Sequence, residues 1–241
     1  MTGSLRRRAP LVGTIIALAC AVLSCAPGLL GGERYQMLAA TGRFDGTVAL
    51  FVSGDAGIRF GMGRPVTQAL TAAGVPVIGI SSPSAFGATR TRAAVDAVLL
   101  GGIRRALAIP GVERIVLIGQ SFGADMLAVG APDLPPDVQS RVAAIILVVP
   151  ARTAYFRADP LGLAYRRPPD AEPAAGVRSI GWAPLTCIQG ARESDSLCPL
   201  LSGTRAERIV LPGGHFLHHD DAGVARLIVA RIAAARQMTK P

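Results

Sequence analysis

Ser121 stands between two glycines in the run Gly119-Gln120-Ser121-Phe122-Gly123. An aliphatic, β-branched stretch ends at Gly119 and a helix-compatible stretch follows Ser121, so the G-x-S-x-G pattern lies in the strand, turn and helix setting of a nucleophile elbow. A serine on such a tight turn projects its hydroxyl above a sheet. Glycines on either side let strand and helix approach with no side chain between them. The chemistry this suggests is acyl transfer through a serine ester. A serine nucleophile needs a base and an orienting acid, and after a turn of this kind the chain order is serine, acid, histidine. The chain has three histidines, His215, His218 and His219, all within LPGGHFLHHD. His215 follows Gly213 and Gly214 just past the apolar run RIVL, the position of a base on a loop beyond a strand end. Upstream, PLTCIQG ends at Gly190 and leads into ARESDSLCP. Asp195 is the expected acid there, fixing the imidazole tautomer, with Glu193 as the alternative.

An oxyanion needs two backbone N–H groups. Phe122, the residue after the nucleophile, supplies one. The loop after the early strand in TVALFVSGDAG supplies the other, through Asp55 or, alternatively, Ala56. Asp125, just inside the elbow helix, reads as a first-turn carboxylate complementing the helix dipole. A metal reading of His215, His218, His219 and Asp220 finds no H-E-x-x-H and no cysteine pair to complete a zinc site. Neither a metal nor any other cofactor is expected. His218 and His219 read as solvated residues leading into the last helix, with Asp220 and Asp221 at its positive end.

The elements that must carry these residues alternate. Strands are expected at 47–52, 75–80, 113–118, 143–149, 184–189 and 207–211, and helices at 64–73, 91–109, 122–129 and 222–236. Continuously apolar strands alternating with helices imply an α/β fold, a mostly parallel sheet flanked by helices on both faces. One long segment, 151–182, carries no clear element and lies between a strand and the acid-bearing strand. It is placed to border the site, with Tyr155, Phe156, Tyr165, Arg166 and Arg167 as candidate contacts.

The chain has 241 residues, is half hydrophobic and 17% charged, and so has ample core for a single domain over 46–241. Its N-terminus reads as a processing segment. Arg6, Arg7 and Arg8 precede the apolar LVGTIIALACAVLS, which has signal-peptide length, giving a signal over 1–24 and a linker over 25–45. VLSC at 22–25 is an imperfect lipobox, so lipidation of Cys25 and an uncleaved anchor stand beside simple cleavage, and a periplasmic location is expected. Loss of 1–24 takes away three arginines and no acid from a formal charge of +9, leaving a basic protein suited to anionic lipid headgroups. The basic residues are scattered, without a block or interleaved aromatics, so nucleic acid is not an expected partner. Cys187 and Cys198 remain beyond the N-terminal segment, and in an oxidising compartment they are expected to bridge around the acid.

VSGDAG, SFGAD, the Leu134-Pro135-Pro136 segment followed by Arg141-Val142, CIQGARESDSLCP and LPGGH together resemble the VirJ/AcvB family, in the same order from about residue 46 to the C-terminus. The resemblance implies an exported α/β-hydrolase that cleaves the aminoacyl ester of aminoacyl-phosphatidylglycerol, chiefly lysyl-phosphatidylglycerol, with Ser121 as nucleophile, Asp195 as acid and His215 as base. Its implied partners are an aminoacylated phospholipid at a membrane surface and secretion-system proteins. A cationic aminoacyl group would need a carboxylate nearby, and Asp55 is the expected one. The sequence departs from the family at Ile58, where a tryptophan is common, and at Phe216 and Leu217 after the base. A generic periplasmic carboxylesterase and a non-catalytic, secretion-associated binding factor are the alternative functions.

Overall fold

The structure is a computed structural model and describes residues 32–238. Seven strands form one sheet in the order β1-β3-β2-β4-β5-β6-β7. They are β1 Tyr35–Leu38, β2 Thr47–Val52, β3 Val77–Ile80, β4 Arg114–Gln120, β5 Val142–Val148, β6 Leu185–Gly190 and β7 Glu207–Leu211. Six are parallel, and β1 runs antiparallel along β3. Strand β1 falls in the stretch expected to be linker.

The sequence makes this sheet because its strands are apolar on both sides. All six residues of β2 and all seven of β5 are buried. Alternate residues serve opposite faces. Val48, Leu50 and Val52 of β2, with Ile115 and Leu117 of β4, pack under α3 (Arg92–Leu107) and α4 (Phe122–Gly130). Ala49, Phe51, Val116 and Ile118 pack under α1 (Gly63–Ala72) and α7 (Asp221–Met238). Three short helices, α2 (Ser82–Phe86), α5 (Pro136–Gln139) and α6 (Ala174–Arg178), complete the set. Helix α3 starts where Thr91 accepts the Ala94 N–H at 3.2 Å, a side-chain N-cap.

The 151–182 segment is structured. Ala151 bridges Ser196 and Ala154 bridges Ala171, and the segment carries α6 and a 3-10 turn at Ala164–Arg166. Cys187 and Cys198 form a disulfide with Cα atoms 5.5 Å apart, tying β6 to the turn that follows it.

Candidate active site

All the singled-out loops meet at the C-terminal ends of the parallel strands, where open α/β sheets place their ligands. Ser121 directly follows β4, with φ 53° and ψ −125°, a left-handed backbone that a non-glycine residue adopts only under constraint. Its N–H donates to Val148 O at 2.8 Å, and its carbonyl accepts from Ala124 N at 2.7 Å, so strand and helix clamp it from both sides. The flanking glycines are sterically required. A Cβ on Gly119 would lie 2.5 Å from Gly123 O, and one on Gly123 would overlap the Val52 carbonyl.

The Ser121 hydroxyl lies 2.8 Å from Nε2 of His215. Nδ1 of the same ring lies 2.7 Å from Oε1 of Glu193. Glu193, not Asp195, occupies the acid's position. The turn after β6 explains why. The second Glu193 oxygen accepts the Gly190 N–H at 3.2 Å, which folds the side chain back toward the loop bearing His215. Two residues on, the chain is already drawn into the Ala151–Ser196 bridge, and Asp195 faces Arg152, 3.6 Å away. Glu193's carboxyl is nearly buried while Asp195's is open to solvent.

The acid and base loops are joined through their backbones. Ala191 N donates to Leu211 O and Arg192 N to Gly213 O, each at 2.8 Å. Gly190 lies so close to the Gly214 carbonyl that no side chain would fit. Past His215 the chain makes a left-handed turn, Leu217, His218 and His219 having φ of 47°, 56° and 59°. His218 Nε2 lies 3.1 Å from Arg192 Nη2, and His219 stacks on the Phe216 ring. Asp220 accepts the Gly223 N–H at 2.9 Å at the start of α7. Among the described residues no cluster of histidine, cysteine, aspartate and glutamate could hold a metal.

Two cavities open on this triad. One, of about 490 Å³, is lined by Ser121 and His215 together with four carboxylates, those of Asp55, Asp125, Glu193 and Asp195, and by Tyr155, Tyr165 and Arg192. Asp125 lies one helical turn beyond Ser121, and its Oδ1 accepts the Ala151 N–H at 2.8 Å. Burial pushes its carboxyl well above the usual range. The Ala151 N–H opposes that rise, and the charges of Asp55, Asp195 and Glu193 add to it. Asp125 therefore does more than complement a helix dipole, and its i, i+4 spacing from Ser121 is the sequence signal for it. The other cavity, about 430 Å³, shares Asp55, Ser121, Tyr165 and His215 with the first. Its further lining includes Phe60, Met62, Pro160, Leu161 and Phe216, with Gln120, Asp159, His219 and Asp221.

Asp55 lies on the wall between the two cavities. Its Oδ1 accepts from the Tyr165 hydroxyl and, at 2.7 Å, from the Asp159 N–H, so this carboxyl fastens the 151–182 segment over the site. Burial raises its pKa, against the bonds from Tyr165, Asp159 and its own backbone N–H. The Tyr165 hydroxyl is in turn pushed far up by its own burial and by the Asp55 charge. Of the aromatics expected at the mouth, Tyr155 and Tyr165 line the acidic cavity, their rings 5.2 Å apart. Phe156 does not: it is buried in the core under the sheet, with its N–H donating to Asp170 at 2.7 Å. Arg167 pairs with Asp170 at the surface, and Arg166 is exposed.

Several solved structures share the fold at low identity. Est1E from Butyrivibrio proteoclasticus superposes with a TM-score of 0.61 at 12% identity, over 84% of this chain and 94% of that one. An alpha-beta serine hydrolase homologue from Coxiella burnetii gives 0.60 at 17%, over 82% and 90%. Naproxen esterase from Bacillus subtilis gives 0.54 at 16%, over 86% and 94%. No curated protein matches the chain in sequence. The sheet order, the helices on both faces and these likenesses make the fold that of the α/β-hydrolases. The sequence model of the family described as "Bacterial virulence protein (VirJ)" matches residues 46–236, a span that holds both cavities and the hydrogen-bonded Ser121, His215 and Glu193, and the chain belongs to the VirJ family.

Proposed function

We propose that the protein is a serine esterase that hydrolyses the aminoacyl ester of an aminoacylated phosphatidylglycerol, with a cationic aminoacyl group such as lysyl. The observation that carries this reading is the acidic cavity opening on the Ser121 hydroxyl. Asp55 and Asp125 are desolvated carboxylates that repel one another, and an ammonium entering beside them relieves that repulsion while gaining a partner in a low-dielectric site. A neutral ester has no such gain.

In the mechanism, His215 takes the Ser121 proton and Oγ attacks the aminoacyl carbonyl. The N–H of Phe122 and one from the Asp55–Ala56 turn hold the oxyanion. The bond to the glycerol oxygen breaks, and His215 returns its proton to that oxygen. Water deprotonated by His215 then splits the acyl-enzyme and releases the amino acid, while Glu193 steadies the imidazolium. Asp125, one helical turn beyond Ser121 and lining the acidic cavity, receives the ammonium, and Asp55, tied through Oδ1 to Tyr165 and Asp159, forms the wall beside it. The disulfide suits an oxidising compartment, which supports a periplasmic site of action. The expected signal over 1–24, with Cys25, lies outside the described residues.

The test is release of lysine from lysyl-phosphatidylglycerol by purified protein. Turnover should vanish in Ser121→Ala, with thermal stability nearly unchanged. Turnover in the variant would exclude serine catalysis. A wild type that cleaves neutral short-chain esters but not the lysyl lipid would establish the generic carboxylesterase instead.

A further inference from the structure

We infer that the mouth of the second cavity is a membrane-docking rim, which rests the protein on an anionic lipid surface with the Ser121 site facing it. This deepens the proposed activity and rests on it for the substrate, but not for the docking itself.

The rim is visible in the distribution of exposed apolar side chains. Among the described residues the four most exposed large hydrophobics are Leu161 (78%), Phe216 (70%), Phe60 (62%) and Leu163 (57%). They come from three separate segments: the loop between β2 and α1, the 151–182 segment, and the loop after His215. Phe60, Leu161 and Phe216 border the one cavity, and that cavity reaches Ser121 and His215. Scattered single apolar residues on a surface are ordinary, but a ring of the most exposed ones around a catalytic cleft marks an interaction site.

The partner follows from charge and geometry. Arg59 adjoins Phe60 in the chain, and Arg157 and Arg166 flank the Leu161–Leu163 stretch; all three are exposed. Apolar tips interleaved with arginines match the boundary between headgroups and acyl chains of an anionic bilayer. Asp55, Asp159 and Asp221 also line this cavity, and against some desolvation the N–H groups on Asp159 hold its carboxyl below the usual range, so the attraction to an anionic surface rests on the three arginines at the rim and not on the cavity wall. Both Asp159 carboxylate oxygens accept backbone N–H groups, from Leu161 at 3.0 Å and Ala164 at 2.7 Å, and Asp221 opens α7. Among the described residues no helix is long and apolar enough to cross a membrane. The two cavities then divide one ligand. A lipid headgroup lifted from the bilayer passes the rim into the second cavity, and its aminoacyl end reaches the acidic one.

The test uses a tryptophan placed on the rim. Leu161→Trp and Phe60→Trp are made separately, and fluorescence is followed with vesicles of phosphatidylglycerol and with the same vesicles carrying brominated acyl chains. Trp182, the native tryptophan, lies before the first residue of β6, at the opposite end of the sheet, and serves as the internal reference. The rim tryptophans should shift to the blue and lose at least half of their added emission to bromine, while Trp182 does not respond. Phosphatidylcholine vesicles should bind at least tenfold more weakly. An N-terminal anchor would tether the protein without bringing residue 161 among acyl chains, so it cannot imitate this result. Unquenched rim tryptophans in a protein that still cleaves a soluble ester would overturn the docking. Equal quenching by both lipids would overturn the anionic preference. Full docking without lysyl release would leave the rim standing and reject the proposed substrate.

Discussion

Glu193 reaches Nδ1 of His215 at 2.7 Å from a turn whose own first N–H, that of Gly190, binds the other carboxylate oxygen. The acid is thus held at both oxygens, by the ring it orients and by the strand end it grows from.

Glu193→Gln should therefore lower kcat on any ester by about 10³- to 10⁴-fold, the loss expected when the imidazole loses its orienting charge. Asp195→Asn should stay within a few-fold of wild type, since it breaks only an exposed contact with Arg152. Turnover of a p-nitrophenyl ester measures both. The reverse order of effects would return the acid's role to Asp195.

Asp125→Asn should separate function from stability. The carboxyl is raised by burial, so the folded state holds its proton more tightly than the unfolded chain does. The stability linked to that proton is complete below the ordinary carboxylate pKa and is lost as pH rises through the higher folded value. At neutral pH the amide should be more stable than wild type by about 0.5–2 kcal/mol, and at pH near 3 the two should converge. Turnover of a lysyl ester should fall much more than that of a neutral ester. Thermal melts across pH and paired kinetics check this; a variant less stable at pH 7, or equally slow on both substrates, contradicts it.

Gly123→Ala should be poorly tolerated, because the new methyl would meet the Val52 carbonyl where β2 and α4 cross. Overpacking of this kind costs about 1–3 kcal/mol. Gly214→Ala should be benign, since nothing lies within 4 Å of the added carbon. Denaturant midpoints of the pair provide the comparison.

Reduction of Cys187–Cys198, or the Cys187→Ser/Cys198→Ser double variant, should lower stability by about 3 kcal/mol or less, as suits a sequence separation of 11. It should also lower kcat several-fold with little change in KM, because the loop it closes carries Glu193. Unfolding and kinetics with and without reductant test the two effects separately.

Much of this was legible in the residues, and the gaps have physical causes. The apolar runs of β2, β4 and β5 are buried on both faces, so composition alone marks them. The four-residue β1, an edge strand with only one neighbour, carries too little apolar signal to stand out from a linker. Ser121 and His215 were legible because glycine pairs and strand ends isolate them. The choice between Glu193 and Asp195 turned on which way a short turn folds, which depends on the Gly190 N–H and the Ala151 bridge and on no local pattern. Phe156 and Tyr155 are chain neighbours pointing to opposite sides of an irregular segment, and without a regular period their parity cannot be read.

The close packing of Gly190 against Gly214 has a consequence for how such a protein could change over generations. Ser121, Glu193 and His215 hang from the ends of β4, β6 and β7, and the loops of the last two are braced by each other's backbones. The surface from Tyr155 to Tyr165 belongs to a segment tied down at Asp55, through the Ala151–Ser196 bridge, by the Arg90–Phe156 and Phe86–Ala158 backbone bonds and by Phe156 and Ala158 in the core, which leaves residues 160–163 as its most exposed part. That short exposed stretch can be exchanged, lengthened or resculpted by mutation while Ser121, Glu193 and His215 keep their places, so lineages built on this frame can vary the mouth of the site long before they disturb the residues beneath it.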